Sequence, residues 1–162
     1  MEQGEAKSAV RRFAGNYLHT LDAKNRAFIP KKYKDALAPV FVITKGPDTC
    51  LFGYQNDAWE QMLANLEEIP FTDSEGREFI RNFVGYSADC EVDSQGRFVI
   101  PLELREYAKL TKEITFVGAI DHIEIWDSAL RKDGSARYDR NADIHAEKMQ
   151  KYLKPEKHSA AV

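Results

Sequence analysis

An α+β fold assembled from two pseudo-symmetric halves is predicted by three observations. A ten-residue pattern occurs twice, at residues 21–30 and 92–101, each copy reading Asp-x-x-(Asn/Gly)-Arg-x-x-Ile-Pro after an apolar residue. Asp22 and Asp93 stand 71 positions apart, as do Arg26 and Arg97. After each copy comes a short polar-apolar stretch of helical character and then two apolar segments, 40–43 and 50–52 in the first, 114–117 and 123–126 in the second. Finally, 162 residues with 43% hydrophobic and 11% aromatic side chains suffice for one packed domain, or for two small halves sharing a core. A repeat at fixed offset signals one supersecondary unit used twice. The offset grows to 73 by Asp48 and Asp121, so the second copy carries two extra loop residues.

Residues 1–11 lack the apolar stretch of a signal peptide and read as a flexible tail. Strand-like composition covers 13–21, a turn 22–25 and a second short strand 26–29, which together predict a hairpin-like element. Asn25 and Gly96 hold equivalent turn positions. Glycine and asparagine tolerate positive φ best, so both turns are expected to place a left-handed residue there. Pro30 and Pro101 end the strands and open short helices at 31–37 and 102–108. Strands follow at 40–44 and 50–54, and at 113–118 and 122–126. Between the copies, 56–66 reads as a helix with Trp59, Leu63 and Leu66 on one face. Thr72 or Asp73 caps another helix through Phe79, Ile80 and Phe83, and 84–92 returns as a strand. Beyond Trp126 the chain is strongly polar, with helical propensity at 142–153 and a disordered end after Pro155. The organisation expected is a tail (1–11), a first half (12–60), a helical connector (61–82), a second half (83–128) and a polar C-terminal helix and tail (129–162).

Charge is unevenly spread although the net formal charge is only −3. Residues 11–34 carry Arg11, Arg12, Lys24, Arg26, Lys31, Lys32 and Lys34 against Asp22. Residues 60–91 carry eight acids against Arg77 and Arg81. Such polarity suits a protein with one basic surface and otherwise soluble or paired faces. Enzyme chemistry finds no support. His19, His122, His145 and His158 lack metal spacing, and no phosphate loop, dinucleotide fingerprint or nucleophile elbow is present. No metal, cofactor or small-molecule substrate is implied, and no apolar run is long enough to span a membrane. Cys50 and Cys90 read as reduced core thiols. Phe28, Phe41, Phe52, Trp59, Phe79, Phe83, Phe116 and Trp126 are all expected in the core.

The paired Asp-x-x-(Asn/Gly)-Arg turns, each followed by strand, proline, short helix and two strands, resemble the MraZ family. Residues 15–26 and 118–126 also look like family segments, and the likeness spans roughly 12–127. The resemblance implies a compact β-barrel of two AbrB-like swapped-hairpin halves flanked by helices. It further implies a bacterial transcriptional regulator, cytoplasmic and nucleoid-associated. Such a protein binds double-stranded DNA at direct repeats in the promoter of the division and cell-wall gene cluster, as a ring-like homo-oligomer and with repression as the expected sense. The chain departs from the pattern at Asn25, where glycine is usual, and in its terminal extensions.

The turn chemistry is compatible with that function. An aspartate opening a tight turn accepts backbone N–H groups and fixes the loop, the role expected of Asp22 and Asp93. Arg26 and Arg97, just after the turn, are placed to meet phosphate oxygens or guanine O6/N7. Lys24 lies inside the first loop, and its counterpart Gln95 can hydrogen-bond phosphate or base edges. The plainer alternative is that Asp22–Arg26 and Asp93–Arg97 are ion pairs serving only their own turns. At the level of function, the competing expectation is an AbrB-like protein-interaction or antitoxin-type assembly module that engages its partner through the acidic segment 60–91.

Overall fold

The computed structural model describes residues 12–153. The expected N-terminal tail and the expected disordered end after Pro155 lie outside the described residues. The chain divides into two compact units, one through Ser128 and one from Ala129.

In the first unit the strands are β1 (Asn16–Thr20), β2 (Arg26–Phe28), β3 (Val40–Gly46), β4 (Cys50–Tyr54), β5 (Ala88–Glu91), β6 (Arg97–Val99), β7 (Glu113–Gly118) and β8 (Ile123–Asp127). A 3-10 turn (Lys31–Tyr33) runs into α1 (Lys34–Leu37), and α4 (Leu102–Tyr107) occupies the equivalent place in the second half. Pro30 and Pro101 sit at the N-caps of these short helices, as a residue without an N–H can at little cost. The connection between halves holds α2 (Asn56–Leu66) and α3 (Ser74–Phe83). Asp73, not Thr72, caps α3: its carboxylate accepts the Gly76 N–H at 3.0 Å.

Six strands form one antiparallel sheet in the order β1-β7-β8-β4-β3-β5, and β2 pairs with β6 as a separate two-stranded ribbon. The pairing is reciprocal between halves: β1 lies on β7 and β5 lies on β3. The hairpin-like pairing expected of 13–21 with 26–29 is therefore corrected. Asp22 N–H to Arg26 C=O and Asn25 N–H to Asp22 C=O close the turn. Beyond it the two strands part, because each finds a longer-range partner in the other half. The sheet is open, with β1 and β5 at its ends. The α+β class holds; a closed barrel is not what this strand pairing describes.

The sheet is a middle layer with apolar packing on both faces. Phe41 and Ile43 of β3 join the main core with Leu51, Ile114, Phe116, Ile123 and Ile125, under the ribbon residues Ala27 and Phe98 and the short-helix residues Leu37 and Leu104. Val42 and Tyr54 face the other way, onto Ala58 and Trp59 of α2 and Phe83 of α3. That two-sided burial explains why β3 is almost continuously apolar where a half-buried strand would alternate. Buried Thr44 meets its polar obligation by donating to the Phe83 carbonyl. Gly118 permits a close crossing, since a Cβ there would run into the backbone of Ala14. Cys50 and Cys90 are free and buried, and burial pushes the Cys90 thiol up to about 12.

Two aromatic expectations are corrected. Phe28 and Phe79 are 43% and 49% exposed, whereas Phe41, Trp59, Phe83, Phe116 and Trp126 are buried and Phe52 is half-buried. Aromatic size favours the interior on average, but position along a strand or helix decides each case.

In the second unit, α6 (Ala142–Leu153) coincides with the predicted helix. It is preceded by α5 (Ser128–Arg140), which has no apolar stripe in the sequence and buries no residue. Tyr138 stacks on His145 with ring centroids 4.8 Å apart. No described helix is long and apolar enough to cross a membrane.

Candidate functional site

Both copies of the repeated pattern form the same turn. In the first, one Asp22 carboxylate oxygen accepts the N–H groups of Lys24 and Arg26 at 2.9 and 2.8 Å, and the Asp22 carbonyl accepts Asn25 N–H at 2.9 Å. In the second, Asp93 accepts Gln95 and Arg97 N–H at 2.9 and 2.8 Å, and its carbonyl accepts Gly96 N–H at 2.9 Å. Asn25 and Gly96 adopt φ of 61° and 85°. Two backbone donors captured by one carboxylate oxygen leave the other oxygen available, and it accepts Arg Nε at 2.7 Å in the first turn and 2.8 Å in the second.

The arginine is thus anchored by its own turn, and the ion pair of the plainer alternative is present in both halves. Yet the contact is made through Nε alone. No hydrogen bond within the described residues takes either terminal amino group of Arg26 or Arg97. A guanidinium has five N–H donors in a rigid plane, so anchoring at Nε orients the end-on Nη pair and leaves it free to chelate two acceptors. The side chains are 29% and 25% exposed.

The ribbon brings the two turns together. Its register sets Arg26 opposite Val99, Ala27 opposite Phe98 and Phe28 opposite Arg97. Ala27 and Phe98 are 0% and 2% exposed and point inward. Alternation then sends both arginines to the outer face. Ile29 N–H donates to the Gly96 carbonyl at 2.8 Å, tying one pattern to the other's turn. Lys34, one of the basic residues of the first half, donates through Nζ to the Ser94 carbonyl at 3.3 Å, a link across 60 residues that no local pattern announces. Its counterpart Arg105 turns back instead to the Ile100 carbonyl at 3.0 Å. Lys24, Lys31, Lys32 and Gln95 are exposed.

Electrostatics favour ionised aspartates. Asp22 is held below its ordinary value of 3.8, first by the Arg26 backbone N–H, against an opposing desolvation, and further by the Arg26 side chain and Lys24 N–H. Asp93 is lowered in the same way by Arg97 and Gln95. A carboxyl lowered in the folded state contributes stability above its ordinary pKa and loses that contribution as pH falls through the lowered value. The Arg26 and Arg97 amide chemical shifts are therefore expected to stay flat from about pH 8 to about pH 5 and to move only in strong acid. Midpoints below 3.8 in an NMR acid titration would check this.

The left-handed turn residue makes a second prediction. Nothing lies closer to a Cβ built on Gly96 than the Lys34 side chain at 3.8 Å, so space is available and only φ resists. Gly96→Ala is expected to destabilise by about 1–2 kcal/mol in urea unfolding, the cost of a left-handed L-residue. Gly96→Asn, matching Asn25 in the other half, is expected to lose less.

Comparison with known proteins follows the duplication. A family model described as “MraZ protein, putative antitoxin-like” matches twice, over residues 12–82 and 83–151. The chain is 42% identical over 137 residues to “Transcriptional regulator MraZ” of Acetivibrio thermocellus, covering 85% of this chain and 96% of that protein. It is 44% identical over 131 residues to the protein of that name from Desulfitobacterium hafniense (strain Y51), covering 81% and 89%. With the protein of that name from Lactiplantibacillus plantarum it shares 46% identity over 114 residues, covering 70% and 81%. Two family matches in tandem, each containing one Asp-anchored arginine turn, lead to one conclusion: the chain belongs to the MraZ family.

Proposed function

We propose that this protein is a sequence-specific transcriptional regulator that binds duplex DNA through the outer face of the β2–β6 ribbon. One observation carries the reading: two arginines from distant parts of the chain share one exposed face, each held at Nε by its own aspartate with its end-on donors unused. Donors arranged in that way suit guanine O6/N7 or a phosphate, and a two-stranded ribbon fits the major groove. Lys24, Lys31 and Lys32 supply phosphate contacts that position the ribbon, and Gln95 adds a neutral donor and acceptor. Asp22, Asn25, Asp93 and Gly96 shape the turns. The relatives' shared name supports regulation of transcription.

The finer features rest on the family resemblance. They are direct repeats in the promoter of the division and cell-wall gene cluster, a ring-like homo-oligomer that gains affinity by engaging several repeats, and repression by obstruction of polymerase in the cytoplasmic nucleoid. The two halves (12–60 and 83–128), the connector (61–82) and the terminal segments are the organisation this reading uses. A second reading has an observation of its own. An apolar groove of about 490 Å3, lined by Phe52, Met62, Phe79 and Phe83 among others, lies beside α3 in the acidic segment and offers a seat for a protein partner. The antitoxin-like description of the family fits that module.

Titration of the full chain against duplexes from upstream of its own gene, with repeats intact or scrambled and over a range of salt, separates the two. Preference for intact repeats, with log affinity falling linearly against log salt, supports the regulator. Absence of duplex binding at every salt concentration overturns it in favour of the interaction module.

A further inference from the structure

The ribbon's outer face carries more than arginine. Phe28 and Val99 are 43% and 54% exposed, although both are large and apolar. They occupy the same place in the repeat, six residues after Asp22 and Asp93 and two after Arg26 and Arg97. In the ribbon register Val99 lies opposite Arg26, and Phe28 lies opposite Arg97. The outer face is thus a four-cornered patch, with arginines on one diagonal and apolar side chains on the other. Inward-facing Ala27 and Phe98 belong to the main core, and Phe28 and Val99 take no part in it.

Charge selects the class of partner. In sequence the first strand of the patch is preceded by Lys24 and followed by Lys31 and Lys32, all exposed, and the aspartates beside its arginines are already engaged by their own turns. A wholly apolar occupant would leave the arginine ends unsatisfied, whereas a polyanion that also presents apolar groups satisfies both diagonals. The major groove of DNA does this, through guanine acceptors and the C5-methyl of thymine. The spacing is compatible: residues two apart on a strand are separated by about 6.6 Å, and successive base pairs rise by about 3.4 Å. Facing cross-strand residues are closer, at about 5 Å.

We infer that Phe28 and Val99 are specificity-determining residues that contact thymine methyl groups one or two base pairs from the bases or phosphates met by Arg97 and Arg26. This rests on the proposed DNA-binding function and adds to it a requirement for thymine that the arginines alone do not impose.

Uracil-substituted DNA tests it, because replacing thymine by uracil removes the methyl and preserves base pairing. Affinities of wild type and of Phe28→Ala/Val99→Ala would be measured on the same repeat-containing duplex with thymine or with uracil throughout the repeats. Folding and oligomeric state would be checked by circular dichroism and sedimentation, with Val99→Ser and Phe28→Ser singly as further variants should the pair not fold. Wild type is expected to lose about four-fold per contacted methyl, the value of one buried CH2, or about 15-fold for two. The variant is expected to bind both duplexes alike, at the level of wild type on uracil DNA. Wild type that binds the repeats but ignores uracil overturns this inference and leaves the DNA-binding function standing. Equal uracil sensitivity in wild type and variant also overturns it, as does loss of the native oligomer when these two side chains are truncated, which would assign the patch to a subunit contact. Wild type that binds no duplex overturns both.

Discussion

Arg26→Ala/Arg97→Ala is expected to lower affinity for repeat-containing DNA by about 10²- to 10⁴-fold while leaving the fold intact. A good bidentate arginine–guanine pair is worth about 1–3 kcal/mol, roughly one to two orders of magnitude in affinity per arginine. The cost to folding is small. Both ion pairs lie partly exposed at the surface, where solvent screening leaves such pairs little weight in folding stability. Asp22 and Asp93 retain the backbone N–H groups that define their turns. Fluorescence anisotropy with intact and scrambled repeats measures the effect, and urea unfolding verifies stability. Arg26→Lys/Arg97→Lys provides the informative intermediate. It keeps the charge but loses the planar fork, so non-specific affinity should persist while preference for the repeats is lost. Affinity unchanged in the alanine variant would confine the arginines to their turns and move the contact surface elsewhere.

Phe98→Ala is expected to be the most damaging single truncation near the site, at about 3–5 kcal/mol in urea unfolding. Phe98 is 2% exposed and packs edge-on against Phe41 and Phe116, with ring centroids 5.1 and 6.4 Å away. Its ribbon partner Ala27 is fully buried. The two halves place one large and one small residue at equivalent positions, and this asymmetry fills a space that two alanines would leave hollow and two phenylalanines would overfill. Ala27→Phe is accordingly expected to cost about 1–3 kcal/mol through overpacking. Because the same residues hold the ribbon on the sheet, Phe98→Ala should also weaken DNA binding with the arginines untouched. A loss below about 1 kcal/mol would show that the ribbon is not seated on the core.

The neighbouring elements differ in how far the sequence revealed them. Helix α2 was legible because Trp59, Leu63 and Leu66 recur at helical spacing, and they pack against the second face of the sheet. Helix α5 was not, since Ser128–Arg140 contains Gly134 and no apolar stripe, and it buries nothing. The exposure of Phe28 ran against its size. Only the register with β6, which turns Ala27 inward, sends Phe28 out.

By itself, the sequence determined the duplicated unit and its internal geometry. The bonds that shape each turn join residues no more than four apart, and Asp, Asn or Gly, and Arg at set spacing suffice to specify them. Tertiary structure alone decided that β2 leaves its own neighbour to pair with β6, so that both arginines and both exposed apolar side chains share one surface. That choice depends on burial of Ala27 and Phe98 and on contacts such as Lys34 to Ser94. Long-range packing and strand register settle such contacts, and local sequence does not carry them.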